Sequence, residues 1–162
     1  MILGIDPGLA STGWALVARS GSQSTVVDCG TFKTSPRTVH AERLRILFEG
    51  VSALLGDGHV EGAAVESWFV HPVSKAAMGM AEARGAVLVA IATAGIEVVE
   101  YPPTEIKLAV TGSGRADKDQ VRAMVTRLTG HTAVSDHAAD AIAVAICHLH
   151  RAPFRAAIRK AQ

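Results

Sequence analysis

Five side chains in this sequence could act together on a divalent cation. Asp6 closes the apolar run Ile2-Leu3-Gly4-Ile5 and is followed at once by Pro7-Gly8. Glu66 closes a second apolar run, Gly62-Ala63-Ala64-Val65. Asp136, His137 and Asp140 sit together in Ser135-Asp136-His137-Ala138-Ala139-Asp140. A carboxylate at the end of a buried strand is costly to desolvate unless it has partners. Two carboxylates close together repel unless a proton or a metal lies between them. Three or four of them, completed by water, suit Mg²⁺, a hard ion that keeps part of its hydration and often binds phosphates. On a helix, His137 and Asp140 stand at i, i+3 and Asp136 and Asp140 at i, i+4, so either pair can face one site. Ser135 and Asp136 are also both good N-cap residues, a role that for Asp136 competes with ligation.

The elements that would gather these groups follow from the pattern of apolar residues. Ile2 to Asp6, Thr12 to Arg19 and Thr25 to Lys33 read as three strands joined by short turns, which favours an antiparallel meander. From Val39 to Leu55 the period changes: Leu44, Leu47, Phe48, Val51, Leu54 and Leu55 mark an amphipathic helix stopped by Gly56-Asp57-Gly58. Gly62 to Glu66 is a short strand, and Lys75 to Gly95 a long helix rich in Ala and Gly. A strand from Glu97 to Tyr101 and helices at 104–110, 117–128 and 136–149 complete the order β-β-β-α-β-α-β-α-α-α. Such an order predicts an α/β fold with a mixed five-stranded sheet and helices on both faces. A right-handed crossover through the first helix would lay the Gly62 to Glu66 strand beside the first. Adjacent strands lie about 4.8 Å apart, close enough for Asp6 and Glu66 to share a cation.

Bulk properties narrow the class. A chain of 162 residues suits one domain, expected to span 1–162 with a flexible basic tail over 151–162. It opens straight into a strand pattern without a basic n-region, and its longest apolar stretch, 85–95, is short for a bilayer. Cys29 and Cys147 form no CxxC pair, so neither zinc nor a disulfide scaffold is suggested, and a cytoplasmic location is expected. Net charge is −3 over residues 1–100 and +4 over 101–162. The second half holds Lys107, Arg115, Lys118, Arg122 and Arg127, which form either ordinary solvated helix faces or a phosphate-binding side.

Five segments then carry a family resemblance: ILGIDPGLASTGWALV, AAVESWFV, SKAAMGMAEARGAVL, VVEYPPTEIKLAVTGSGRADKDQVRAMV and SDHAADAIAVAICHLH. In order and spacing, over nearly the whole chain, the sequence resembles the RuvC Holliday-junction resolvases, whose fold is RNase H-like. The resemblance implies a homodimeric endonuclease acting in recombination and repair, which nicks four-way DNA junctions symmetrically and leaves 5′-phosphate and 3′-hydroxyl ends. It assigns Asp6, Glu66, His137 and Asp140 as catalytic metal ligands, with Asp136, one residue out of register, as the N-cap or a rival fourth ligand. It implies two Mg²⁺ per site, with Mn²⁺ as a substitute, about 4 Å apart as in other two-metal nucleases. It further implies junction contacts by Phe69, Lys107, Arg115 and Lys118. A dimer contact through the Ala/Gly-rich helix and the branch-migration partners RuvA and RuvB are also expected, with no membrane association. The alternatives are an RNase H-like nuclease of the YqgF kind, acting on RNA or flaps, and a non-catalytic junction-binding protein. The SDHAAD and ADKDQV segments favour the resolvase.

Overall fold

The computed structural model describes residues 1–21, 23–56, 58–67 and 74–160. Five strands form one sheet in the order β3-β2-β1-β4-β5, where β1 is Ile2–Asp6, β2 Ser11–Ser20, β3 Gln23–Lys33, β4 Gly62–Glu66 and β5 Val98–Tyr101. β1, β2 and β3 are antiparallel neighbours, while β4 runs parallel to β1 and β5 parallel to β4. The mixed sheet expected from the element order is therefore present. Helix α1 (His40–Leu55) is the crossover that returns the chain to β1's side, pairing Ile2 with Gly62 and Ile5 with Val65.

Alternation along the strands sorts the core into two layers. Leu3 and Ile5 of β1, with Ala63 and Val65 of β4, pack against Val51 and Leu55 of α1 and Val87 and Ile91 of α2 (Lys75–Thr93). On the opposite face Ile2, Ala15, Val17 and Ala64 meet α5 (Asp136–Lys160), with Ile106 and Val110 of α3 (Pro103–Thr111) and Val121 and Val125 of α4 (Lys118–Thr129). Burying a Val, Leu or Ile side chain is worth about 1.5–3 kcal/mol, so each layer commits the sheet to its helices. By the same period of two, Asp6 and Glu66 fall on the α5 face, two residues beyond Gly4 and Ala64.

Two elements differ from the sequence reading. The last helix continues past Leu149 to Lys160, so the backbone expected to start a tail at 151 is helical. The 76–93 window of α2 is long and apolar enough to cross a bilayer by length and composition, with mean hydropathy 1.3 and a third of it buried. In the fold that helix lies against α1 and the sheet: Ala83, Val87, Ala90 and Ile91 are buried, while Glu82 pairs with His40 and Arg84 with Glu100. Gly79 makes room for the turn between β1 and β2, since the side chain of Leu9 would lie 2.9 Å from a Cβ added there.

Candidate active site

Asp6 ends β1 where the chain must turn back, and the turn is braced from both sides. Thr12, fully buried, donates its hydroxyl to the Gly8 carbonyl at 2.8 Å and accepts from the Gly8 N–H at 3.2 Å. Thr34 donates its hydroxyl to the Leu9 carbonyl and its N–H to Ala10 O at 3.0 Å. The Asp6 side chain is thus held at the end of the central strand, 20% exposed, with its carboxylate turned toward α5.

The start of α5 is held just as firmly. Ser135 Oγ accepts the Ala138 N–H at 3.1 Å, and Ser135 O accepts the Ala139 N–H at 3.0 Å. Ser135 is therefore the N-cap, which corrects the assignment of that role to Asp136. A Ser135–Thr31 hydroxyl bond of 2.7 Å ties the cap to β3. Gly13, the register partner of Asp6 on β2, lets the helix backbone come close, because an added Cβ would lie 1.9 Å from the His137 carbonyl oxygen.

This approach brings Asp6, His137 and Asp140 together, each offering a ligand atom within 4.8 Å of the others. His137 Nδ1 is 2.8 Å from Asp6 Oδ2. An ionised carboxylate can only accept, so in that state Nδ1 carries the hydrogen. Glu66 adds a further carboxylate from the end of β4. Its carboxyl is pushed up to about 7 by burial first, then by the charges of Asp6 and Asp140, against an opposing pull from Lys107. The Asp140 carboxyl is likewise raised, by burial and then by Asp6. Raised carboxylates of this kind mark a place where negative charge is short of a cation.

Part of the missing charge comes from Lys118. Its Nζ lies 3.3 Å from Asp136 and 3.6 Å from Asp140. Asp136 also accepts from Arg122 at 3.2 Å, and the two cations hold its carboxyl below the usual range. Asp136 thus faces α4 rather than Asp6, and the cluster is completed by His137. Lys107 and Lys118 line an open cleft of about 250 Å³ together with Glu66, Ile106 and Asp140. Arg115 is exposed in the turn before α4, without an ion pair among the described residues. Phe69 lies outside the described residues. Sequence reasoning missed Gly13, Thr34 and Thr31, which position the Asp6 turn and the start of α5 from outside the cluster; the glycine opposite Asp6 in the strand pattern was the available signal.

The donor set fits a hard divalent ion. Carboxylate oxygens dominate, one imidazole is added, and an ammonium already sits beside Asp140. Known proteins place this geometry in context. The family model described as "Crossover junction endodeoxyribonuclease RuvC" matches residues 2–148. A protein of that name from Parvibaculum lavamentivorans is 44% identical over 149 residues, spanning 91% of this chain and 85% of its own. One from Chloroflexus aggregans is 44% identical over 153 residues, 93% of each chain. The solved structure of Thermus thermophilus RuvC in complex with Holliday junction substrate is similar with a TM-score of 0.89 at 34% identity, over 95% of each chain.

Proposed function

The chain belongs to the RuvC family of crossover junction endodeoxyribonucleases and is a metal-dependent, Holliday junction-resolving nuclease, and on that premise we propose that Asp6, Glu66, His137 and Asp140 are its catalytic ligands. The observation that carries this reading is the convergence of Asp6, His137 and Asp140 within 4.8 Å beside a Glu66 raised to about 7. The preferred ion is Mg²⁺, two per site, with Mn²⁺ able to substitute. Bound there, the ions would supply the charge that activates a water and stabilises the leaving 3′ oxygen.

The chain's own residues supply position. Asp6, at the end of the central strand, stands between Glu66 on one side and His137 with Asp140 on the other. Glu66 holds the β4 side of the site and Asp140 with His137 the α5 side. Lys107 and Lys118 stand on the cleft wall where a phosphate would enter. Lys118 then exchanges its bonds to Asp136 and Asp140 for the phosphate, while Arg122 keeps its own bond to Asp136. Arg115, exposed beside them, extends the phosphate contact, and Phe69 stacks on a junction base.

In this reading two copies act together, each cutting one strand, so that paired nicks leave 5′-phosphate and 3′-hydroxyl ends. The contact between copies runs along α2, where Met78 and Val89 are 56% and 57% exposed and small residues permit close approach. The enzyme works in the cytoplasm with RuvA and RuvB on recombining DNA. The test is incubation of the protein with a synthetic four-way junction, with Mg²⁺ or with EDTA. Symmetric nicked duplexes that can be religated are expected with metal only. Metal-independent cleavage, or equal cutting of linear duplex, would refute the reading.

A further inference from the structure

Lys107, Arg115 and Lys118 account for one wall of the site, but a second set of cations follows at and beyond the end of β3. From Cys29 to Ala41 the chain carries no acidic residue, yet it holds Lys33 and Arg37, with Arg43 just beyond. Glu42 and Glu49, the nearest acids on α1, are both engaged by Arg45. Lys33, Arg37 and Arg43 form no ion pair among the described residues, and Lys33 and Arg37 are exposed.

Lys33 is placed by strand register and Arg43 by the turn that follows Asp6, with Arg37 on the segment between them. Lys33 pairs in register with Ser11, two pairs beyond Gly13 and Thr31 and so on the same face. Gly13 lies under His137 and Thr31 bonds Ser135, so Lys33 rims the start of α5 from the β3 edge. Arg43 donates through Nε to Thr34 Oγ1 at 2.8 Å, and Thr34 in turn clasps Leu9 and Ala10. Arg43 Nε is thereby fixed, and its two terminal nitrogens form no hydrogen bond among the described residues.

We propose that Lys33, Arg37 and Arg43 form a second phosphate-binding rim that grips the DNA backbone on the β3 side of the cleaved phosphate. The proposal rests on the nuclease reading above. Cations on both sides of an acidic centre hold a strand across it, where one wall alone would let the strand pivot. The cations of the rim also offset the carboxylate charge that would otherwise repel the strand.

The test is junction binding by the full-length protein in EDTA across a salt series. Each phosphate contact contributes about 0.9 to the slope of log affinity against log salt. The double variant Lys33→Ala/Arg37→Ala should flatten the slope by about 1.8, so that its affinity loss between about 50 and 200 mM salt is about tenfold smaller than wild type's. Arg19→Ala, at the far end of the sheet where Arg19 bonds Leu149 O, should leave the slope unchanged. A double variant with the wild-type slope and an unchanged melting temperature overturns the rim. An equal loss from Arg19→Ala also overturns it, since attraction would then be spread over the surface. Failure of the wild-type protein to prefer junction over duplex overturns the nuclease reading instead.

Discussion

Replacing Gly13 with alanine should disable cleavage without touching any ligand. The new Cβ would lie 1.9 Å from the His137 carbonyl oxygen, 2.3 Å from its carbon and 2.9 Å from its Cβ. The obstructing atoms are backbone, so no side-chain rotation relieves them. Restoring an ordinary contact requires the first turn of α5 to retreat by about 1.5 Å, while Asp6 stays with the sheet. His137 and Asp140 move with that turn, and the 2.8 Å His137–Asp6 contact opens. Misplacement of about 1 Å in a catalytic constellation costs about a hundredfold in rate. Overpacking of this kind costs about 1–3 kcal/mol of stability, equivalent to about 2–4 °C per kcal/mol for a chain of this size. Single-turnover cleavage of a four-way junction at saturating Mg²⁺ should therefore slow at least about a hundredfold. Junction affinity in EDTA should stay within about threefold, because the phosphate contacts lie on other elements. Cleavage within about threefold of wild type, in a folded variant, would refute the claim that backbone approach over Gly13 sets the site.

Other perturbations separate the remaining roles. Asp6→Asn should bind junctions in gel-shift assays at near wild-type affinity and fail to cut them; normal cutting would remove Asp6 from the chemistry. His137→Ala should abolish Mg²⁺-supported cleavage, while Asp136→Ala, whose side chain faces Lys118 and Arg122, should retain it within about tenfold; the reverse result would make Asp136 the fourth ligand. The pH dependence of the metal-free protein has a defined sign. Glu66 has a folded value of about 7, above its ordinary 4.5, and Asp140 is raised as well. The stability that goes with the protonated Glu66 carboxyl is full below about pH 4.5 and is lost as pH rises through about 7, and Asp140 shifts in the same direction. For Glu66 the span is at most about 3 kcal/mol, and solvent screening reduces it to about 1–2 kcal/mol. Thermal melts in EDTA should accordingly drop from pH 5 to pH 8, Mg²⁺ should restore most of the loss at pH 8, and Glu66→Gln should flatten the profile. A flat wild-type profile would mean the carboxylates do not share one field.

Most of the architecture is legible in the chain because strand and helix periods differ. The alternation Ile2-Gly4-Asp6 against Leu3-Ile5 already assigns Asp6 to one face, and the parallel run Gly62-Ala64-Glu66 repeats it. Once α1 is recognised as a crossover, the two strand-end carboxylates must be neighbours. The run of alanines in α5 likewise announces a helix lying flat on the sheet, where Ala141 O would be 2.2 Å from a Cβ at Gly4.

Residue spacing alone leaves Asp136 and His137 as alternatives, which only the family resemblance decides for His137, and the reason is angular. Asp136 and His137 are consecutive on a helix, about 100° apart around its axis, and each has a permitted spacing to Asp140. Which one faces Asp6 depends on the rotation of α5 about its own axis. That rotation is set by Ala138, Ala139, Ala141 and Ile142 packing on the sheet, by the Ser135–Thr31 clamp and by the gap over Gly13. All of these contacts join residues more than a hundred positions apart or pair a helix with a sheet, so they exist only in the folded chain. The sequence alone thus determines that a carboxylate cluster forms at one end of this sheet. Only tertiary packing turns His137 toward Asp6 and leaves Asp136 to the cations of α4.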